Sequence, residues 1–142
     1  MILLDTNVIS EIRKIEQNKA NANVVAWANT LDFSKVYLSA IVIRELKLGV
    51  LLKRHNHDFV QADVLEDWLN NWVLVKFANR ILPVDEQVAQ IYASLNVPNP
   101  KSTNDAYIAS TAIAHNLTIA TRNVKDFDGM PVKLINPFEF LA

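Results

Sequence analysis

The chain has no cysteine, which excludes both a disulfide framework and a thiolate metal site. That fits a reducing, cytoplasmic location, which is the expectation. Glycine and proline are scarce, with 2 and 5 residues in 142, while 51% of the chain is hydrophobic. This excludes a disordered or low-complexity protein and points to a compact globule. No apolar run approaches the ~18 residues of a membrane span, and no charged leader with a cleavage site opens the chain. A soluble protein with no signal peptide and no membrane partner is expected. Neither sign of charge dominates, since 14 Lys and Arg face 15 Asp and Glu for a net charge of −1. A nucleic-acid partner must therefore be argued from local patches. The length suits one domain, and no repeat, linker or low-complexity tract divides it, so residues 1–142 are read as a single domain.

What the chain does have starts at its first residues. Ile2, Leu3 and Leu4 form a short apolar run, as expected of a strand buried on both faces of a parallel sheet. The run stops at Asp5, and Val8, Ile9 and Ile12 then follow at helical spacing. Asp5 thus stands at the carboxyl end of a central strand, the edge where open α/β sheets bind ligands. The plainer alternative is that Asp5 only caps the next helix.

Strands and helices alternate along the rest of the chain. Ile15 to Asn23 reads as an exposed connection, and Val24, Trp27, Ala28 and Leu31 share a helical face. Val36 to Leu38 is a strand, and Ser39 caps a long helix from Ala40 to about Arg54. Phe59 to about Asn71 is an amphipathic helix with Trp68, Leu69 and Trp72 on one stripe. Ile81 to Val84 is extended, and Asp85 caps another helix. Ser102 to Asp105 opens a helix that ends at Asn116 in a left-handed cap. Ile119 and Ala120 form a strand that delivers Thr121, Arg122 and Asn123, and Val132 to Ile135 is the last strand. This alternation predicts an α/β fold, a central parallel sheet with helices on both faces.

Three acids stand out. Glu45 is the sole charge on the helical face formed by Ile41, Leu48, Gly49 and Leu52, with Gly49 leaving room beside it. Its alternative is a rim position pairing with Arg44 or Lys47. Asp105 lies in the first turn of its helix beside Ile108, Ala109 and Ala112, where an acid also suits the helix dipole. Carboxylates converging with Asp5 repel unless a cation or protons intervene. With no Cys, and His only at 55, 57 and 115, the ligand set is oxygen-rich. Such a set selects a hard ion, Mg²⁺ or Mn²⁺, over Zn²⁺.

Leu3-Leu4-Asp5-Thr6-Asn7, Arg44-Glu45-Leu46-Lys47-Leu48-Gly49, Asn104-Asp105-Ala106-Tyr107-Ile108-Ala109, Ala120-Thr121-Arg122-Asn123-Val124-Lys125-Asp126-Phe127 and Asn136-Pro137-Phe138 together resemble the PIN domain. The likeness is to the toxin ribonucleases of VapBC-type toxin–antitoxin modules, in the FitB-like branch, and it spans essentially the whole chain. It implies a PIN-like three-layer fold and a Mg²⁺- or Mn²⁺-dependent endoribonuclease that cuts RNA phosphodiester bonds. It also implies a cognate antitoxin that blocks the site, and contact with operator DNA only indirectly, through that antitoxin. A homodimer or a larger toxin–antitoxin assembly is implied as well. Carried over, Asp5, Glu45 and Asp105 match the family's acidic metal ligands, and Thr121 matches a polar residue beside the site. Asn123 is the fourth catalytic position, where many members carry an acid, and Asp126 is placed to compensate.

Two other readings compete. A haloacid dehalogenase-type phosphohydrolase also opens with a strand ending in Asp, but wants a second Asp where this chain has Asn7. A PIN-fold module that binds RNA or protein without cleaving is the other, left open by Asn123. Lys47, Lys53, Arg54, Arg122 and Lys125 are candidates for phosphate contacts, which carry no sequence information by themselves.

Overall fold

A computed structural model describes residues 1–141. Five strands form one sheet: β1 (Ile2–Leu4), β2 (Val36–Ser39), β3 (Ile81–Leu82), β4 (Thr118–Ala120) and β5 (Lys133–Ile135). They lie in the order β3-β2-β1-β4-β5, and every neighbouring pair is parallel. The expected α/β class and parallel sheet are what the structure shows. Successive residues Leu3 and Leu4 point to opposite faces, and both are fully buried. Only a sheet covered on both sides does that.

The helices are α1 (Thr6–Arg13), α2 (Ala22–Ala28), α3 (Ala40–His55), α4 (Phe59–Trp68), α5 (Leu74–Lys76), α6 (Glu86–Leu95) and α7 (Thr103–His115). Short 3₁₀ turns cover Phe33–Lys35, Val124–Phe127 and Pro137–Glu139. The caps follow the sequence. Ser39 Oγ accepts from the Ile41 N–H at 3.1 Å, Asp85 Oδ1 accepts from the Val88 N–H at 3.0 Å, and Asn116 is left-handed at φ 53°.

Some boundaries move. The first helix begins at Thr6 rather than Val8, because Asp5 already accepts the Thr6 N–H. The second begins at Ala22 under an Asn21 cap and stops before Leu31. The amphipathic helix does not end near Asn71. It widens into a π turn over Leu69–Val73 and runs on to Lys76. Leu69 and Val73 are thereby core residues, whereas Trp68 and Trp72 are only partly buried and stack with centroids 6.2 Å apart.

The strand order decides where ligands can sit. From β1 the chain steps outward to β2 and β3, then crosses back to β4 on the other side of β1. Leu4 pairs with Ala120, so the chain leaves both strands side by side at Asp5 and Thr121. That is the topological switch point, where the diverging connections leave a crevice. The α3 helix reaches over this region and packs against both α1 and α7.

Candidate active site

Asp5 is 7% exposed, and its carboxylate is held by three donors. Oδ1 accepts the Thr6 N–H at 2.8 Å, while Oδ2 accepts the Thr121 hydroxyl at 2.8 Å and Asn7 Nδ2 at 3.3 Å. Asn7 is a functional-site residue that the sequence reading passed over. Its Oδ1 also accepts the Arg122 N–H at 3.0 Å, so it ties the ends of β1 and β4 together. Its only signal was a polar amide two residues beyond the acid. Asp5 is both a helix cap and a member of an acid cluster, so its two readings are not exclusive.

Thr121 is fully buried, and its oxygen also accepts the Asn123 N–H at 3.0 Å. With its lone pairs so engaged, the single hydroxyl proton is directed to Asp5, which must accept it. Burial nevertheless pushes the Asp5 carboxyl above its ordinary pKa. The Thr121 and Thr6 hydrogen bonds oppose that shift, and the Asp126 charge adds to it.

Glu45 is half-buried on α3 and forms no ion pair among the described residues. Lys47, one of its proposed rim partners, bonds Glu66 instead at 3.7 Å. Burial raises the Glu45 pKa first, and the charges of Asp5 and then Asp105 raise it further. Burial likewise leads the rise at Asp105, joined by Asp126 and Asp5 and opposed by the Ser102 hydroxyl. The charge of Asp126 thus reaches Asp5 and Asp105, and the charges of Asp5 and Asp105 reach Glu45. Asn123 follows β4 on the same stretch of chain as Thr121 and carries no charge. It is exposed, stands just outside the Val124–Phe127 turn at φ −102° and ψ 64°, and its side chain makes no hydrogen bond among the described residues. Asp126 sits inside that turn, anchored by the fully buried Phe127.

Among the described residues, no three acidic or imidazole side chains close on one point as a finished metal cage. The donor chemistry nonetheless fits a hard cation. All the facing donors are oxygens, three of their carboxyls are raised by burial, and Thr6 Oγ1 is buried without a full hydrogen bond beside Glu45. A divalent cation would relieve each of these costs. Next to the acids lies a cleft of about 260 Å³ lined by Thr6, Ser10, Arg13, Glu45, Gly49 and Trp68. Gly49 has no neighbour within 4 Å of where a side chain would begin, so the room expected there is open space.

Residues 2–132 match the PIN domain family model. The chain belongs to the PIN-domain family. As a PIN domain it is similar to Toxin FitB of Neisseria gonorrhoeae, with 43% identity covering 97% of this chain and 99% of that protein. It is also similar to VapC ribonuclease Y4jK of Sinorhizobium fredii, with 36% identity covering 98% and 99%. Among solved structures, FitAB bound to an IR36 DNA fragment superposes with a TM-score of 0.83 and 40% identity, covering 100% of this chain and 99% of that one. The switch-point crevice with its acids is thus the crevice of a PIN domain. No helix among the described residues is long and apolar enough to cross a membrane.

Proposed function

We propose that this PIN domain is a metal-dependent endoribonuclease and the toxin of a type II toxin–antitoxin pair. The observation that carries the reading is the convergence of Asp5, Glu45, Asp105 and Asp126 at the crevice between β1 and β4. The similarity to a toxin and to a named ribonuclease supports it. Asp5 and Asp105 would hold one Mg²⁺ or Mn²⁺, with Glu45 acting through water. Such an ion supplies activation of a water nucleophile and offsets charge on the leaving oxygen. The chain's own residues do the rest. Thr121, Asn7 and the Thr6 N–H favour the ionised form of Asp5 against the effect of burial and fix its direction. Glu45, its pKa raised above the ordinary carboxylate value by burial and by the charges of Asp5 and Asp105, is suited to take the proton of the attacking water.

An antitoxin is the proposed partner, in line with the FitAB neighbour, and it would bring the chain to operator DNA without direct contact. Ile12, Ile15, Trp68 and Trp72 line an apolar cleft of about 200 Å³ that leads away from the acids, a surface for antitoxin or for a second copy to cover. Light scattering of the toxin alone decides the self-association, which a strict monomer at high concentration would exclude.

The test is incubation of the purified chain with RNA in Mg²⁺ or Mn²⁺ and in EDTA, with the new ends mapped. Metal-dependent cleavage is expected, whereas RNA binding without cleavage would establish the binding-module alternative.

A stability measurement probes the same site without activity. Folding raises the carboxyl pKa of Asp5, Glu45 and Asp105, so each binds its proton more tightly in the native state. Their contribution to stability is fully present below the ordinary carboxylate pKa and is lost as pH rises through the raised native values. At neutral pH the metal-free protein therefore carries an electrostatic penalty. Glu45 caps no helix, so Glu45→Gln should raise the metal-free Tm at pH 7 by a few degrees, with the gain shrinking as pH falls toward 4. Adding Mg²⁺ or Mn²⁺ should raise the wild-type Tm more than the variant's. A variant less stable than wild type at pH 7 would contradict the repulsion.

A further inference from the structure

We propose that Arg122 grips a backbone phosphate of the RNA beside the cleaved bond, and that Phe138 holds it ready. The inference rests on the nuclease reading above and assigns the substrate contact of that same site. Five cations were candidates, and the structure separates them. Lys47 pairs with Glu66 at 3.7 Å, Lys53 with Asp58 at 3.9 Å, and Arg54 with Asp63 and Glu66, both at 3.0 Å. All three serve the α3–α4 hairpin. Arg122 and Lys125 form no ion pair among the described residues. Among the described residues no hydrogen bond or ion pair fixes the exposed Lys125 side chain, whereas Arg122 is held at both ends.

Its N–H donates to Asn7 Oδ1, and Asn7 donates in turn to Asp5, so the Arg122 backbone is coupled to the acid cluster. Its carbonyl accepts from Asn136 Nδ2 at 3.4 Å. Its guanidinium lies 4.8 Å from the centre of the Phe138 ring. Phe138 is itself fixed, since its N–H donates to Asn136 Oδ1 at 3.0 Å and its carbonyl accepts from Asn23 Nδ2 at 2.8 Å. Stacking occupies the flat face of a guanidinium and leaves its in-plane N–H groups free, in the fork that matches two phosphate oxygens. An exposed, pre-oriented cation whose backbone is tied to Asp5 through Asn7, and which forms no ion pair among the described residues, suits an anion that arrives from outside. The phosphodiester of the proposed substrate is that anion.

The test measures a short fluorescent single-stranded RNA binding to the Asp105→Asn protein across a salt series, beside steady-state kinetics in the otherwise unaltered chain. Arg122→Ala should weaken binding about 10-fold, flatten the log–log salt slope by about 0.7, and raise KM with little change in kcat. Arg122→Lys should recover only part of the loss. Phe138→Leu should resemble Arg122→Lys, and combining it with Arg122→Ala should add nothing, with thermal melting confirming the fold. Unchanged affinity and salt slope in Arg122→Ala would overturn the assignment, as would a loss confined to antitoxin binding, which would make the anion a partner's carboxylate. If wild type binds RNA through Arg122 but cleaves none, the phosphate contact stands and the nuclease reading fails.

Discussion

Asp105→Asn is expected to silence both RNA cleavage and the growth arrest that follows induction of the wild-type chain. The substitution keeps the shape of the side chain and removes a charge that raises the Glu45 pKa and whose own pKa is raised by burial, Asp126 and Asp5. With the repulsion reduced, the fold should survive or gain slightly, so lost activity cannot be ascribed to unfolding. Loss of a preorganised electrostatic group in an active site costs about 10²–10³-fold in rate, and a group that also holds the ion should cost at least that. Asp5→Ala should be equally silent but is the poorer probe. Asp5 also caps α1, and losing a cap costs about 1 kcal/mol of stability. Growth and RNA integrity after induction are the measurements. An Asp105→Asn chain as toxic as wild type would show that the crevice is not where the chemistry happens.

How much of this was legible depends on the range over which each feature is determined. The strands were readable because Ile2 to Leu4 and Ile119 to Ala120 are apolar without alternation, and a parallel sheet demands that pattern wherever it is covered twice. Glu45 and Asp105 were readable because each breaks an apolar helical face. The course of the chain from Phe59 to Lys76 was not. The π turn inserts a residue into the helical count, so the single stripe drawn through Trp68, Leu69 and Trp72 divides in space. Leu69 faces the core, while the two tryptophans line a surface cleft. Periodicity of 3.6 cannot reveal a place where the period changes. The bracket of Asn7 and Thr121 around Asp5 was hidden for another reason. It spans 114 residues of sequence and exists only because β1 and β4 are neighbours at the switch point.

Asp126→Asn should weaken the enzyme by about 10–100-fold, the usual cost of losing an acid that supports a metal site without being its main ligand, while Asn123→Ala should cost far less. The two residues were expected to share a face if Asn123 began a helical turn. Asn123 is the exposed N-cap of that turn, its carbonyl accepting the Asp126 N–H at 3.0 Å, and it brings no charge, whereas the Asp126 charge reaches both Asp5 and Asp105. That makes Asp126 the candidate for the fourth acid. It lies on a short 3₁₀ turn rather than at a strand end, so it has more freedom to swing than Asp5, which is pinned by the strand and three donors. Mg²⁺ is usually satisfied by one or two carboxylates with waters and substrate phosphate. On the proposed assignment Asp5 and Asp105 would meet that need alone, with Asp126 adding charge at longer range. One firm ion is therefore expected on the free protein, and a second should bind weakly until a substrate phosphate joins it. Calorimetric titration of Mg²⁺ or Mn²⁺ into RNA-free protein counts the sites, and two tight sites would refute this division. Equal loss of activity in Asp126→Asn and Asp105→Asn would instead make Asp126 a full ligand, with the turn that carries it closing onto the ion.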